Sequence, residues 1–124
     1  MYELKIKTHF AAAHRLTMVG EKCENLHGHN WRIEVCVEGP ELDEGGVLLD
    51  FGVLKKHVAV IMKTLDHRFL NDLEMFGESV PPSSENIARY IAVSLEKRLG
   101  EGPARVTRVS AWESDNSCAT YMPE

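Results

Sequence analysis

The chain has 124 residues, 44% hydrophobic and 27% charged, with 14 Lys and Arg against 19 Asp and Glu for a net charge of −5. That length suits one domain over residues 1–124, because either half alone would lack the apolar mass for a core. The acidic balance argues against a nucleic-acid partner, and no apolar run approaches the ~18 residues of a membrane helix. Cys23, Cys36 and Cys118 are an odd set without close pairing, and Met1-Tyr2-Glu3-Leu4-Lys5 runs straight into a strand pattern rather than a secretory leader. A cytoplasmic location with free thiols is expected.

Tyr2, Leu4, Ile6, Thr8 and Phe10 alternate with Glu3, Lys5, Lys7 and His9, which predicts a half-buried strand. A loop rich in Gly, Lys and Glu follows over Val19 to Asn25. Trp31, Ile33, Val35 and Val37 alternate with polar residues and predict a second strand. Beyond the turn signals Gly39-Pro40 and Gly45-Gly46, Asp50 is placed to cap a helix from Phe51 to about Leu65. Its apolar stripe is Phe51, Leu54, Val58, Ile61 and Leu65.

Residues 66 to 82 look irregular. Ser83 or Ser84 then caps a second helix with Ile87, Ile91, Leu95 and Leu99 on one face, closed by Gly100. Two strands follow, Arg105 to Glu113 and Cys118 to Met122, separated by Ser114-Asp115-Asn116. The expected fold is α+β, a four-stranded antiparallel sheet with two helices inserted between the two hairpins. Its two free edges lead us to expect a homo-oligomer.

His14, His27 and His29 cluster within sixteen residues. Residues i and i+2 of a strand share a face, so His27 and His29 can face one metal ion, and His14, just after the preceding strand, can supply a third nitrogen. Three nitrogens with an open fourth position are the catalytic zinc arrangement. Cys23 is open to three readings: a fourth ligand closing a structural site, a reactive thiolate beside the metal, or an inert loop residue. His9 reads as an exposed strand residue and His57 as a helix-face residue, and Cys36 and Cys118 as small buried residues in strands. Asp66 next to His67 is either a catalytic pair or a helix-end turn. Glu113 is either a solvent-exposed strand end or a ligand anchor.

Together these segments resemble the 6-pyruvoyltetrahydropterin synthase / 6-carboxytetrahydropterin synthase family. The resemblance runs from Phe10-Ala11-Ala12-Ala13-His14 through Cys23-Glu24-Asn25-Leu26-His27-Gly28-His29, Asp50-Phe51, Leu65-Asp66-His67, Leu70-Asn71 and Pro82-Ser83-Ser84-Glu85-Asn86 to Glu113. It implies the tunnelling fold, a hexamer built as a dimer of trimers, and active sites between subunits. It also implies a zinc ion held by His14, His27 and His29, with Cys23, Asp66 and His67 as the proton-transfer set. Glu113 would anchor the pterin, with Ser83 and Ser84 at the same substrate.

The spacing of Cys23 to the His-Gly-His motif resembles the queuosine-pathway branch. That branch converts 7,8-dihydroneopterin triphosphate to 6-carboxy-5,6,7,8-tetrahydropterin, acetaldehyde and triphosphate. Glu24 resembles the base of another branch, which forms 6-hydroxymethyl-dihydropterin for folate; 6-pyruvoyltetrahydropterin is a third product of the family. The rival from another class is a non-catalytic zinc- or pterin-binding module.

Overall fold

A computed structural model describes residues 1–16 and 26–124. The elements in chain order are β1 (Tyr2–His14), β2 (His27–Gly39), α1 (Phe51–Leu65), β3 (Arg68–Phe69), a single 3-10 turn (Leu70–Asp72), α2 (Ser84–Leu99), β4 (Arg105–Ser114) and β5 (Ser117–Tyr121). They form one sheet in the order β3-β1-β2-β4-β5 with both helices inserted between the two hairpins. The α+β architecture and four antiparallel strands agree with the expectation. The fifth strand, β3, is an addition: two residues that run parallel to β1 through Ala12↔Arg68 and Ala13↔Phe69. A strand of two residues has no periodicity to read.

The inward residues of the sheet, Phe10, Trp31, Ile33, Val35 and Val109, form one buried cluster with Leu54, Val58, Ile61 and Leu65 of α1 and Ile87, Ile91 and Leu95 of α2. Asp50 caps α1 by accepting the Gly52 N–H at 2.7 Å, and Ser83 caps α2 by accepting the Asn86 N–H at 3.1 Å. Gly100 ends α2 at φ 61°, a conformation that a Cβ disfavours. Phe51, expected in the α1 stripe, stands 50% exposed at the helix's first position, while Met62 is buried. Cys36 is buried as expected, but Cys118 is exposed. The alternation of β5 turns Ala119 and Tyr121 towards the core and Cys118 away, a phase that a short edge strand does not reveal. No helix among the described residues is long and apolar enough to cross a membrane.

What positions the site is the β1–β2 hairpin. Both strands are longer than their alternation indicates, and their register pairs His14 with His27 and Ala12 with His29. His14 is therefore the last residue of β1 rather than a residue beyond it. The three histidines share the core-facing side at one end of the sheet, directly above Trp31.

Candidate metal centre

His14 is 1% exposed, and its ring Nδ1 lies 2.8 Å from the Pro82 carbonyl oxygen. A carbonyl only accepts, so Nδ1 carries the hydrogen and Nε2 of the neutral ring presents its lone pair. Nε2 lies 2.9 Å from Nε2 of His27. Two such nitrogens at that separation share either a hydrogen carried by His27 Nε2 or a metal ion. His29 completes the set, its ring 4.5 Å from that of His27 and 5.2 Å from that of His14. Trp31 packs edge-on against His14 and His29 at 5.2 and 5.3 Å and forms an apolar floor.

Glu113 enters from β4 with Oε1 2.8 Å from His29 Nε2, 3.4 Å from His14 Nε2 and 3.7 Å from His27 Nε2. The short contact to His29 lacks hydrogen-bond alignment, so His29 Nε2 is buried without a hydrogen-bond partner. A buried nitrogen of this kind is costly unless something binds it. Burial holds the His29 imidazole below its ordinary pKa, outweighing the Glu113 carboxylate that pulls the other way. The ring is thus neutral at pH 7, as a metal ligand must be. One donor atom from each of the four residues lies within 4.8 Å of every other. A buried imidazole nitrogen without a hydrogen-bond partner, a fixed tautomer on His14 and a nearby carboxylate fit a divalent cation that favours nitrogen and oxygen ligands.

Asp66 and His67 stand on the β3 side of β1. Asp66 ends α1, and its Oδ1 accepts the Ala11 N–H at 2.9 Å. The His67 N–H donates to the Ala11 carbonyl at 2.6 Å, and His67 Nδ1 lies 2.9 Å from Asp66 Oδ2. Neighbouring side chains rarely meet; here they do because His67 adopts φ 59°, the left-handed region. Asp66 is therefore a helix-end residue whose carboxylate also meets the His67 imidazole. The Ala11 N–H is the main cause holding the Asp66 carboxyl below its ordinary pKa, with His67 adding to it. The His67 ring is 82% exposed and points outward.

Ser83 and Ser84 begin α2 one residue after Pro82, so the carbonyl that orients His14 and the two serines belong to one turn. Sequence reasoning missed Pro82 as a partner, because a backbone acceptor leaves no residue-type signal. It also gave no role to Asn71. That side chain accepts the Arg15 N–H at 2.8 Å and donates to the Arg15 carbonyl at 2.7 Å, clamping the chain as it leaves His14. Cys23 and Glu24 lie outside the described residues. His9 is exposed on β1 and His57 lies on a face of α1, both as expected; His57 is half-buried and accepts from Arg98 Nε at 3.1 Å.

A family model described as 6-pyruvoyl tetrahydropterin synthase matches residues 3–124. A dihydroneopterin monophosphate aldolase of Pyrococcus furiosus is 42% identical over 106 residues, 86% of this chain and 84% of its own. A 6-carboxy-5,6,7,8-tetrahydropterin synthase of Synechocystis is 39% identical over 118 residues, 91% and 87% of the two chains. The structure of Caenorhabditis elegans 6-pyruvoyl tetrahydropterin synthase superposes with a TM-score of 0.84 at 29% identity, covering 99% of this chain and 96% of that one.

Proposed function

The chain belongs to the 6-pyruvoyl tetrahydropterin synthase family of pterin metabolism, and from that premise we propose that it is a zinc-dependent 6-carboxy-5,6,7,8-tetrahydropterin synthase of the queuosine route. Its substrates are 7,8-dihydroneopterin triphosphate and water, and its products are 6-carboxytetrahydropterin, acetaldehyde and triphosphate. The observation that carries the reading is the convergence of His14, His27 and His29 beside Glu113 at the end of the sheet. Cys23, four residues before His27, and the name of the Synechocystis relative favour the carboxy product.

Zinc, when bound, polarises substrate hydroxyls and acidifies the adjacent C–H bonds. His14, His27 and His29 hold it. Cys23 as thiolate takes a proton from the substrate side chain, since a nearby cation lowers a thiol's pKa. His67 returns a proton, with Asp66 fixing its tautomer through the 2.9 Å contact to Nδ1 so that Nε2 faces the reaction. The outward aim of His67 suits a site shared between copies. Glu113 accepts paired hydrogen bonds from the pterin amine and ring N–H, with Ser83 and Ser84 beside it.

The assembly belongs to the same proposal. Among the described residues β1 is paired on its outer side only at Ala12 and Ala13, and β5 has no outer partner. Both edges continue into neighbouring copies, giving the trimer-based hexamer; sedimentation at the monomer mass would overturn this.

A second reading has its own support. Glu24 lies three residues before His27, and the Pyrococcus furiosus relative is a dihydroneopterin monophosphate aldolase. With Glu24 as base, the product is 6-hydroxymethyl-dihydropterin. Incubating the zinc-replete protein separately with 7,8-dihydroneopterin triphosphate and monophosphate, with products identified by mass spectrometry, decides between them. Carboxytetrahydropterin with acetaldehyde supports the synthase. Hydroxymethyl-dihydropterin moves the base role to Glu24, and no turnover of either substrate leaves a binding module.

A further inference from the structure

We infer that Glu113 is a displaceable fourth ligand of the metal centre, closing it while the pterin site is empty and leaving it when substrate arrives. The inference rests on the pterin reading only for its second half. Four donors arranged tetrahedrally around zinc at ~2.0–2.1 Å lie about 3.3 Å from one another. Glu113 Oε1 lies 2.8, 3.4 and 3.7 Å from Nε2 of His29, His14 and His27, values that bracket that edge. An outer-sphere carboxylate would instead sit behind a ligand ring and accept from its far nitrogen. Behind His14 that place is already taken by the Pro82 carbonyl. Glu113 is on the Nε2 side of all three rings, where the ion itself belongs.

The backbone explains how one residue can both bind and leave. β4 pairs with β5 through Trp112↔Cys118 and Ser114↔Ser117, so the register shifts at Glu113 and the residue has no partner across the ladder. Its pairing with β2 also ends one residue earlier, at Arg32↔Trp112. An irregularity of this kind re-aims a side chain without disturbing its neighbours. The Glu113 side chain is 36% exposed, and the three histidines are held on paired strands. A His3Glu set is closed and resembles a structural site; catalysis needs the fourth position open. The pterin amine and ring N–H supply a new partner for the carboxylate just as the side-chain hydroxyls of the substrate reach the position it leaves.

Cobalt(II) replaces zinc as a visible probe, and the spectrum is read without turnover. The full-length wild-type protein and Glu113→Gln are loaded with cobalt and titrated with a chelator, then with neopterin, an oxidised pterin that keeps the hydroxyl side chain. The inference expects different visible bands for the two proteins before ligand is added and cobalt bound at least 10-fold more weakly by the variant. Neopterin then shifts the wild-type bands, and shifts them less when the carboxylate is already gone. Identical bands in the two ligand-free proteins overturn the inference. Glu113→Asp, which keeps the charge but withdraws the oxygen by one methylene, carries the same comparison should the glutamine variant fold poorly. Shifted bands together with no product from either dihydroneopterin phosphate leave the ligand standing and remove the synthase. Unshifted bands with normal turnover remove the displacement of Glu113 and leave the synthase.

Discussion

The backbone at His67 is a place where folding and chemistry pull against each other, and exchanging the side chain measures by how much. His67 sits at φ 59°, and its ring is 82% exposed. A Cβ in the left-handed region costs roughly 1–2 kcal/mol, while glycine loses about 0.5–1 kcal/mol through its larger chain entropy on folding. His67→Gly is therefore expected to be more stable than His67→Ala by about 0.5–1 kcal/mol, the reverse of the usual order. Both variants lack the imidazole, so its contact with Asp66 cancels from the comparison. Both also keep the N–H donated to the Ala11 carbonyl at 2.6 Å. Urea unfolding at matched protein and zinc concentrations reads the difference, which corresponds to a melting shift of about 3 °C. An alanine variant as stable as the glycine variant would refute the strain argument. Neither variant should turn over substrate if His67 is the proton donor proposed above.

His27→Ala is expected to lose bound zinc on elemental analysis, and unchanged zinc would remove it from the ligand set. Cys23→Ala keeps its zinc but loses most carboxytetrahydropterin formation; full activity would transfer the base role to Glu24. Asp66 has its folded pKa below the unfolded value, so its contribution is complete above pH ~4 and is lost as pH falls through the folded pKa. Asp66→Asn should flatten that part of the acid-unfolding profile, and an unchanged profile would show that the Ala11 bond contributes nothing. Gly39→Ala places a Cβ 2.4 Å from both the Pro103 carbonyl oxygen and Leu48 Cδ1. Since the backbone oxygen cannot yield cheaply, a loss of about 3 kcal/mol is expected in denaturant unfolding, and a loss below ~1 kcal/mol would mean that the Pro103 segment moves freely.

The elements with clean periodicity were legible: α1 with its Asp50 cap, α2 from Ser83 to Gly100, and the alternating centres of β1 and β2. What escaped had no local signal. β3 exists because Arg68 and Phe69 happen to lie beside Ala12 and Ala13, a tertiary contact that two residues cannot announce. The Pro82 carbonyl acts on His14 across the fold, and a backbone atom has no residue type. The left-handed turn at His67 is similar, since histidine's enrichment at positive φ is too weak to mark one position and adjacency alone argues against its pairing with Asp66. Cys118 shows the limit of a phase reading on an edge strand. The histidine cluster itself was visible because i, i+2 spacing on a strand is a local rule.

That rule makes the hairpin register the common determinant of core and site. Because the side-chain period is two, a slip of one residue between β1 and β2 would turn Trp31, Ile33 and Val35 outward and carry His27 and His29 with them. The burial of those three residues therefore stabilises the metal centre's geometry without any of them touching an ion. Trp31 joins the two roles most directly, stacked on Phe10 below and edge-on to His14 and His29 above. The groups assigned to move, donate or exchange are placed where the ladder gives way: Glu113 at the β4–β5 irregularity and His67 just past the end of α1. Regular pairing holds the three histidines, and the interruptions hold the groups that the proposed catalytic cycle asks to change partners.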